Sequence, residues 1–160
     1  MKNRIFLDLD GVMADFEGHF QSYFGTRHDS FSDFEMWRKI ESYKTFFLDL
    51  PVMDGALEFF DSIKHLNPII LTACPKTSYN VSAIQKKQWV KMNLSKDILI
   101  LPVLGGKNKA LFMQNQGDIL IDDFKKNCDS WTNYGGNAIL HSNFVDTTKQ
   151  LTNLMENNDG

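Results

Sequence analysis

Cysteine is scarce in this chain: only Cys74 and Cys128, far apart and in no metal-ligand spacing. Two isolated thiols argue against a disulfide framework and for a reducing compartment. No apolar run approaches the roughly 18 residues that a membrane-spanning helix needs, and nothing in the first residues reads as a signal peptide. A cytoplasmic protein without membrane contact is therefore expected. Lys and Arg nowhere form a block, and the net charge is −3. That argues against a long nucleic-acid footprint, though not against a single nucleotide. Internal repeats and low-complexity tracts are also missing; only the tail Glu156-Asn157-Asn158-Asp159-Gly160 looks frayed. What remains is one domain of 160 residues, 42% hydrophobic, long enough to bury a real core.

The most informative stretch is Ile5-Phe6-Leu7-Asp8-Leu9-Asp10-Gly11-Val12. Three apolar residues run into two carboxylates spaced by one, and a glycine follows. This reads as a short buried strand with a charged tip and a turn. Buried like charges repel, and a bound cation relieves them; Mg2+ favours carboxylate oxygens. A second aliphatic run, Ile119-Leu120-Ile121, ends in Asp122-Asp123, and a third, Pro68-Ile69-Ile70-Leu71, ends in Thr72-Ala73. Gly106-Lys107-Asn108-Lys109 supplies cations. In an open parallel sheet ligands bind beyond the carboxyl ends of the strands. Adjacent parallel strands would thus gather four carboxylates, a hydroxyl and a lysine into one crevice, a set suited to a metal and a phosphoryl group.

Strand-like and helical stretches alternate along the chain. Strands are expected at about 3–9, 68–72, 97–103, 118–122 and 137–141. Helices are expected at about 13–24, 54–66 (Asp54 as N-cap; Ala56, Leu57, Phe60 and Ile63 inward), 78–93, 124–133 and 146–156. Such alternation implies an α/β fold, a parallel sheet flanked by helices with right-handed crossovers. Residues 25–50 are less regular and rich in aromatics, and read as a small helical insertion.

Each candidate has a chemical role and a plainer alternative. Asp8 is placed to be a carboxylate nucleophile and metal ligand. Asp10, on the same side if the chain stays extended, is placed to give and take the proton. Asp122 and Asp123 would complete the metal shell; the alternative is a helix N-cap. Thr72 offers a hydroxyl to a phosphate oxygen, with the Ala73 N–H beside it; the alternative is an ordinary turn. Lys107 or Lys109 would neutralise charge at the nucleophile. Lys86 and Lys87 read first as solvated helix lysines. The aromatics from Phe16 to Phe47 fit either packing of the insertion or a stacking pocket for a planar ligand. The four histidines show no ligand spacing.

Asp8-Leu9-Asp10-Gly11-Val12, Thr72, a lysine at 107–109 and Ile121-Asp122-Asp123 resemble the four motifs of the haloacid dehalogenase (HAD) superfamily. More closely, Asp8 to Gly18, Phe46 to Ala56, Asp118 to Asp123 and Gly135 to His141 resemble the 5'(3')-deoxyribonucleotidases over nearly the whole chain. The resemblance implies a single domain over 1–160. It has a Rossmann-like HAD core and a small helical cap, about 17–50, inserted after strand one. It implies Mg2+-dependent hydrolysis of nucleoside monophosphates, usually deoxy ones. Carried over, Asp8 is nucleophile and metal ligand, and Asp10 is acid/base and lends its carbonyl to the metal. Asp122 and Asp123 complete the metal site. Thr72 and Ala73 bind phosphate, as do Lys109, which fits the family register better than Lys107, and Lys86. Phe16 matches a base-pocket aromatic. Residues 25–45 align poorly, and Gln114 to Gly117 is extra length.

The expected partner is a small-molecule nucleotide; oligomeric state is left open, a homodimer included. Another HAD phosphatase, acting on a different small phosphate ester or a polynucleotide phosphate end, would share the mechanism. A receiver-like module would carry its adjacent acidic pair on strand one, the reverse of the order here. A non-catalytic phosphate-binding protein would not need all four motif positions filled.

Overall fold

Ile5, Phe6 and Leu7 are all buried, as a strand with both faces covered must be. They form β1 (Ile5–Leu7), the centre of a five-stranded parallel sheet with β2 (Ile69–Cys74), β3 (Ile100–Leu104), β4 (Ile119–Asp122) and β5 (Asn137–Leu140). The order is β3-β2-β1-β4-β5. Leu7 pairs with Ile70 of β2 on one side and Ile121 of β4 on the other. The structure, a computed structural model, describes residues 3–158. The helices are α1 (Phe16–Phe24), α2 (Asp33–Glu41), α3 (Ala56–Ile63), α4 (Tyr79–Asn93), α5 (Lys125–Asn133) and α6 (Phe144–Asn158). Short 3-10 turns occupy His28–Ser30, Lys64–Leu66 and Gly106–Phe112.

Successive strand side chains point to opposite faces, and the core divides accordingly. Ile5 and Leu7 pack with Phe60 and Ile63 of α3, Trp89 of α4 and Leu151 of α6. Phe6 packs with Leu71, Leu120 and Trp131 of α5 on the other face. The chain steps from β1 to β2 and β3 on one side, then returns to β4 on the other. The crevice where strand order reverses lies between β1 and β4, the two strands with acidic tips.

Several boundaries differ from the sequence reading. β1 ends at Leu7 because the chain turns at once: the amides of Val12, Met13 and Ala14 all donate to the Leu9 carbonyl, at 3.2, 2.9 and 2.9 Å. α1 begins at Phe16, not near 13, with Asp15 as N-cap accepting from the Gly18 amide at 2.9 Å. α3 is capped by Gly55 at φ 80°, not by Asp54, and turns Phe59 inward while Leu57 is exposed. β3 starts at Ile100 rather than 97. α6 extends beyond 146–156 at both ends, so Glu156 and Asn157 are helical rather than frayed; Asp159 and Gly160 lie outside the described residues. The segment between β1 and α3 holds α1, a 3-10 turn and α2, whose start is fixed by a reciprocal Ser32–Glu35 capping box. Among the described residues no helix is long and apolar enough to cross a membrane.

Candidate active site

β1 delivers Asp8 to the crevice, and the Asp8 amide still donates to Ile121 at 2.9 Å, so the β1–β4 ladder reaches the site. The Asp8 side chain is buried and its Oδ1 accepts from Lys109 Nζ at 2.6 Å. The same ammonium donates to Asp122 Oδ2 at 2.7 Å. Lys109 comes from the 3-10 turn after β3. Within that turn Lys109 and Ala110 are buried, while Lys107 is exposed. Of the two lysines, Lys109 is the one that meets Asp8.

Asp122 has further donors. Its Oδ1 accepts from the Phe124 amide at 2.9 Å and its Oδ2 from Asn127 Nδ2 at 3.1 Å. Asp123 is exposed as a residue, yet its carboxyl group lies against Gly11 and the Asp8 side chain. Gly11 stands at φ 81°, and a Cβ there would run into the Asp123 carboxylate, so only glycine fits this turn. Asp8, Asp122 and Asp123 each offer one oxygen, all within 4.8 Å of one another.

Burial pushes Asp8 well above the usual carboxylate range; Asp122 adds to the rise and Lys109 opposes it. Burial, with Asp122 beside it, pushes Asp123 up to about 6. Burial alone would lower Lys109, but Asp8 and Asp122 outweigh it and hold the lysine above its ordinary range, hence charged. This is a site carrying more negative charge than its one lysine offsets, which is the condition a divalent cation relieves.

Asp10 follows the turn at Leu9, where the chain is no longer extended, and is not one of the three carboxylates that meet. Its Oδ2 accepts from Lys86 Nζ at 2.6 Å, while its Oδ1 is buried without a partner. Lys86, read first as a solvated lysine, is fully buried. It also donates to Ala73 O at 2.6 Å and Thr72 Oγ1 at 3.3 Å, so Thr72 and Ala73 meet at this second lysine. Lys87 is exposed, as expected.

Phe16 is half-buried and packs among Phe20, His28 and Phe46, with centroids 6.1, 5.6 and 5.8 Å away. A cavity of about 300 Å3 opens between the 40–47 segment and the start of α4, lined by Tyr43, Phe46, Phe47, Ser78, Ser82 and Gln85 among others. Phe16 does not line it; it stands edge-on behind Phe46, which does.

Residues the sequence reading missed hold this arrangement together. Gln85 Oε1 accepts from the amides of Phe47 and Leu48, at 3.1 and 3.3 Å, and its Nε2 donates to Lys44 O at 2.6 Å. Trp89 Nε1 donates to Leu50 O at 2.7 Å. Buried Asp118 accepts from the amides of Arg4, Gln114 and Asn115, so the extra length before β4 folds around a carboxylate remote from the crevice. No local pattern marks Gln85, because its partners are backbone groups 37 to 41 residues away.

No protein-family model matches the chain. It is 30% identical over 139 residues to a protein of Bordetella bronchiseptica named "Putative 5'(3')-deoxyribonucleotidase", covering 74% of this chain and 73% of that protein. In structure it is similar to a HAD-superfamily hydrolase from Ehrlichia chaffeensis, with a TM-score of 0.58 at 14% identity over 97% of this chain and 99% of that one. It is also similar to a "predicted phosphatase" from Clostridium acetobutylicum, with a TM-score of 0.55 at 15% identity over 96% and 99%. The two solved structures agree in fold; the Bordetella protein agrees in sequence.

Proposed function

The chain belongs to the 5'(3')-deoxyribonucleotidase family of HAD-superfamily hydrolases, and on that premise we propose that it hydrolyses (deoxy)nucleoside monophosphates to nucleoside and phosphate, dependent on Mg2+. The reaction runs through an aspartyl-phosphate on Asp8. One observation carries this reading: Asp8 and Asp122 share the buried Lys109 beside Asp123, an arrangement that supports a carboxylate nucleophile next to a bound cation.

An Asp8 carboxylate oxygen attacks phosphorus, the ester P–O bond breaks, and the leaving oxygen takes a proton from Asp10. Water then attacks phosphorus and gives its proton to Asp10; the P–O bond to Asp8 breaks, and inorganic phosphate leaves with both carboxyl groups restored. Thr72 and Ala73 lie near the end of β2, next to β1, two and three residues past the Ile70 that pairs with Leu7. They are our choice for binding phosphate oxygens. Asp8, Asp122 and Asp123 would hold the metal through their side-chain oxygens, and Asp10 through its carbonyl. Mg2+ bound there would offset phosphate charge. The aromatic cavity near Phe46 and Phe47 suits a planar base, with Phe16 as support for Phe46. Two free cysteines, both buried, support a reducing, cytoplasmic setting.

The test is phosphate release from deoxy- and ribonucleoside 5'- and 3'-monophosphates, sugar phosphates and a 3'-phosphorylated oligonucleotide, with and without Mg2+. Mg2+-dependent turnover of deoxynucleotides is the expected result. Turnover of the other esters alone would keep the chemistry and discard the substrate.

Metal binding has its own readout. At about 100 times its Kd, a ligand of the native state adds about 2.7 kcal/mol. In a domain of this size that raises Tm by about 5–10 °C. Mg2+ is expected to produce such a rise in differential scanning calorimetry, and Asp123→Asn to remove most of it. An unchanged Tm in the wild type would count against the metal site.

A further inference from the structure

Lys86 is the buried charge that the reaction scheme above leaves without a task. An ammonium has three hydrogens, and here each has an acceptor: Asp10 Oδ2 at 2.6 Å, Ala73 O at 2.6 Å and Thr72 Oγ1 at 3.3 Å. The Phe47 ring lies 4.4 Å from the same nitrogen. The side chain is wholly inaccessible. A lysine that grips a phosphate must turn a hydrogen toward it, and Lys86 has none to turn. This pairing favours a task other than the second phosphate-binding lysine that the resemblance implies.

We propose that Lys86 is a positioning residue for proton transfer: it anchors Oδ2 of Asp10, so that the unpartnered Oδ1 is the oxygen that gives and takes the proton. The inference rests on the phosphatase reading above. Its grounds are geometric. Burying an ammonium is costly unless every hydrogen is paired. Here the pairing joins α4 to two places at once, the turn after β1 and the end of β2. Asp10 Oδ1 is buried with no partner, a condition found where a polar atom is kept for a ligand or a reaction. Asp10 sits on a turn rather than a strand, and an unanchored carboxyl group there would sample several rotamers.

The leaving group tells this task from a merely structural one. A nucleoside alkoxide needs a proton as it departs; p-nitrophenolate does not. In the Mg2+-loaded protein, Lys86→Met is expected to lower kcat/KM for the best nucleoside monophosphate about 100-fold or more, within the usual range for general acid catalysis. On p-nitrophenyl phosphate kcat/KM should fall less than about 5-fold. The second half-reaction also uses Asp10, so the variant should release a burst of one p-nitrophenolate per protein before slow turnover. Asp10→Asn should show the same selectivity, and the double variant should lose little more than either single one. Lys86→Gln, which keeps two donors, guards against a folding failure of the Met variant and should show the same selectivity in weaker form. Equal losses on both substrates in variants that fold would overturn the assignment and leave the phosphatase reading intact. Absence of turnover by the wild type on every ester would overturn that reading, and this one with it.

Discussion

Asp8→Asn is expected to abolish phosphate release, by at least about 10⁴-fold, while leaving the fold intact or more stable. An amide cannot form the aspartyl-phosphate, and loss of a covalent nucleophile removes the whole two-step route rather than one contribution to it. The stability half of the prediction comes from the electrostatics. Burial and the neighbouring Asp122 both disfavour the charged form of Asp8. An isosteric neutral side chain removes that repulsion, and Lys109 keeps Asp122 as a partner. Measured together, turnover should vanish and metal-free Tm should hold or rise. A variant that is inactive because it is unfolded would show the opposite Tm, and one that still turns over would remove Asp8 as nucleophile.

Lys109→Met is expected to have the largest effect on stability. The lysine lies between two buried carboxylates, 2.6 and 2.7 Å away, and removing it leaves both uncompensated. Breaking a buried pair from one side typically costs about 3–5 kcal/mol. A domain with a total stability of about 5–15 kcal/mol can lose a third or more of it this way. Urea unfolding should show a midpoint shift of that size, with activity lost in parallel. Mg2+ should recover part of the stability, because it opposes the same repulsion. Lys107→Met, two residues away and exposed, should change neither. Equal behaviour of the two variants would contradict the arrangement around Asp8.

The acidic strand tips were legible because they depend on local pattern: an aliphatic run ending in carboxylates is costly without a reason. The residue pattern alone left Lys107 and Lys109 open, since both lie in one 3-10 turn; only the family resemblance favoured Lys109, the one that folding buries. α4 misled in a different way. Of the apolar residues that suggested this helix, Val81, Ile84 and Met92 are exposed and Trp89 is buried; Ser82, Gln85 and Lys86 are buried beside Ala83, Trp89 and Val90. Periodicity assumes that apolar residues face the core, and here part of the inner face supplies hydrogen bonds to the 44–48 segment, Asp10 and the end of β2.

By itself the sequence determined the alternation of strands and helices, the parallel sheet, and the acidic ends of β1 and β4. Those follow from burial and from the repulsion of like charges close in the chain. The tertiary structure decided that Lys109 is buried against Asp8, that Lys86 reaches Asp10, and that Gln85 takes part. Each of these joins residues brought together only by folding: Lys86 and Asp10 are 76 positions apart, Lys109 and Asp8 are 101. A buried charge needs a partner in space, and nothing in local sequence says which distant residue will arrive to provide it.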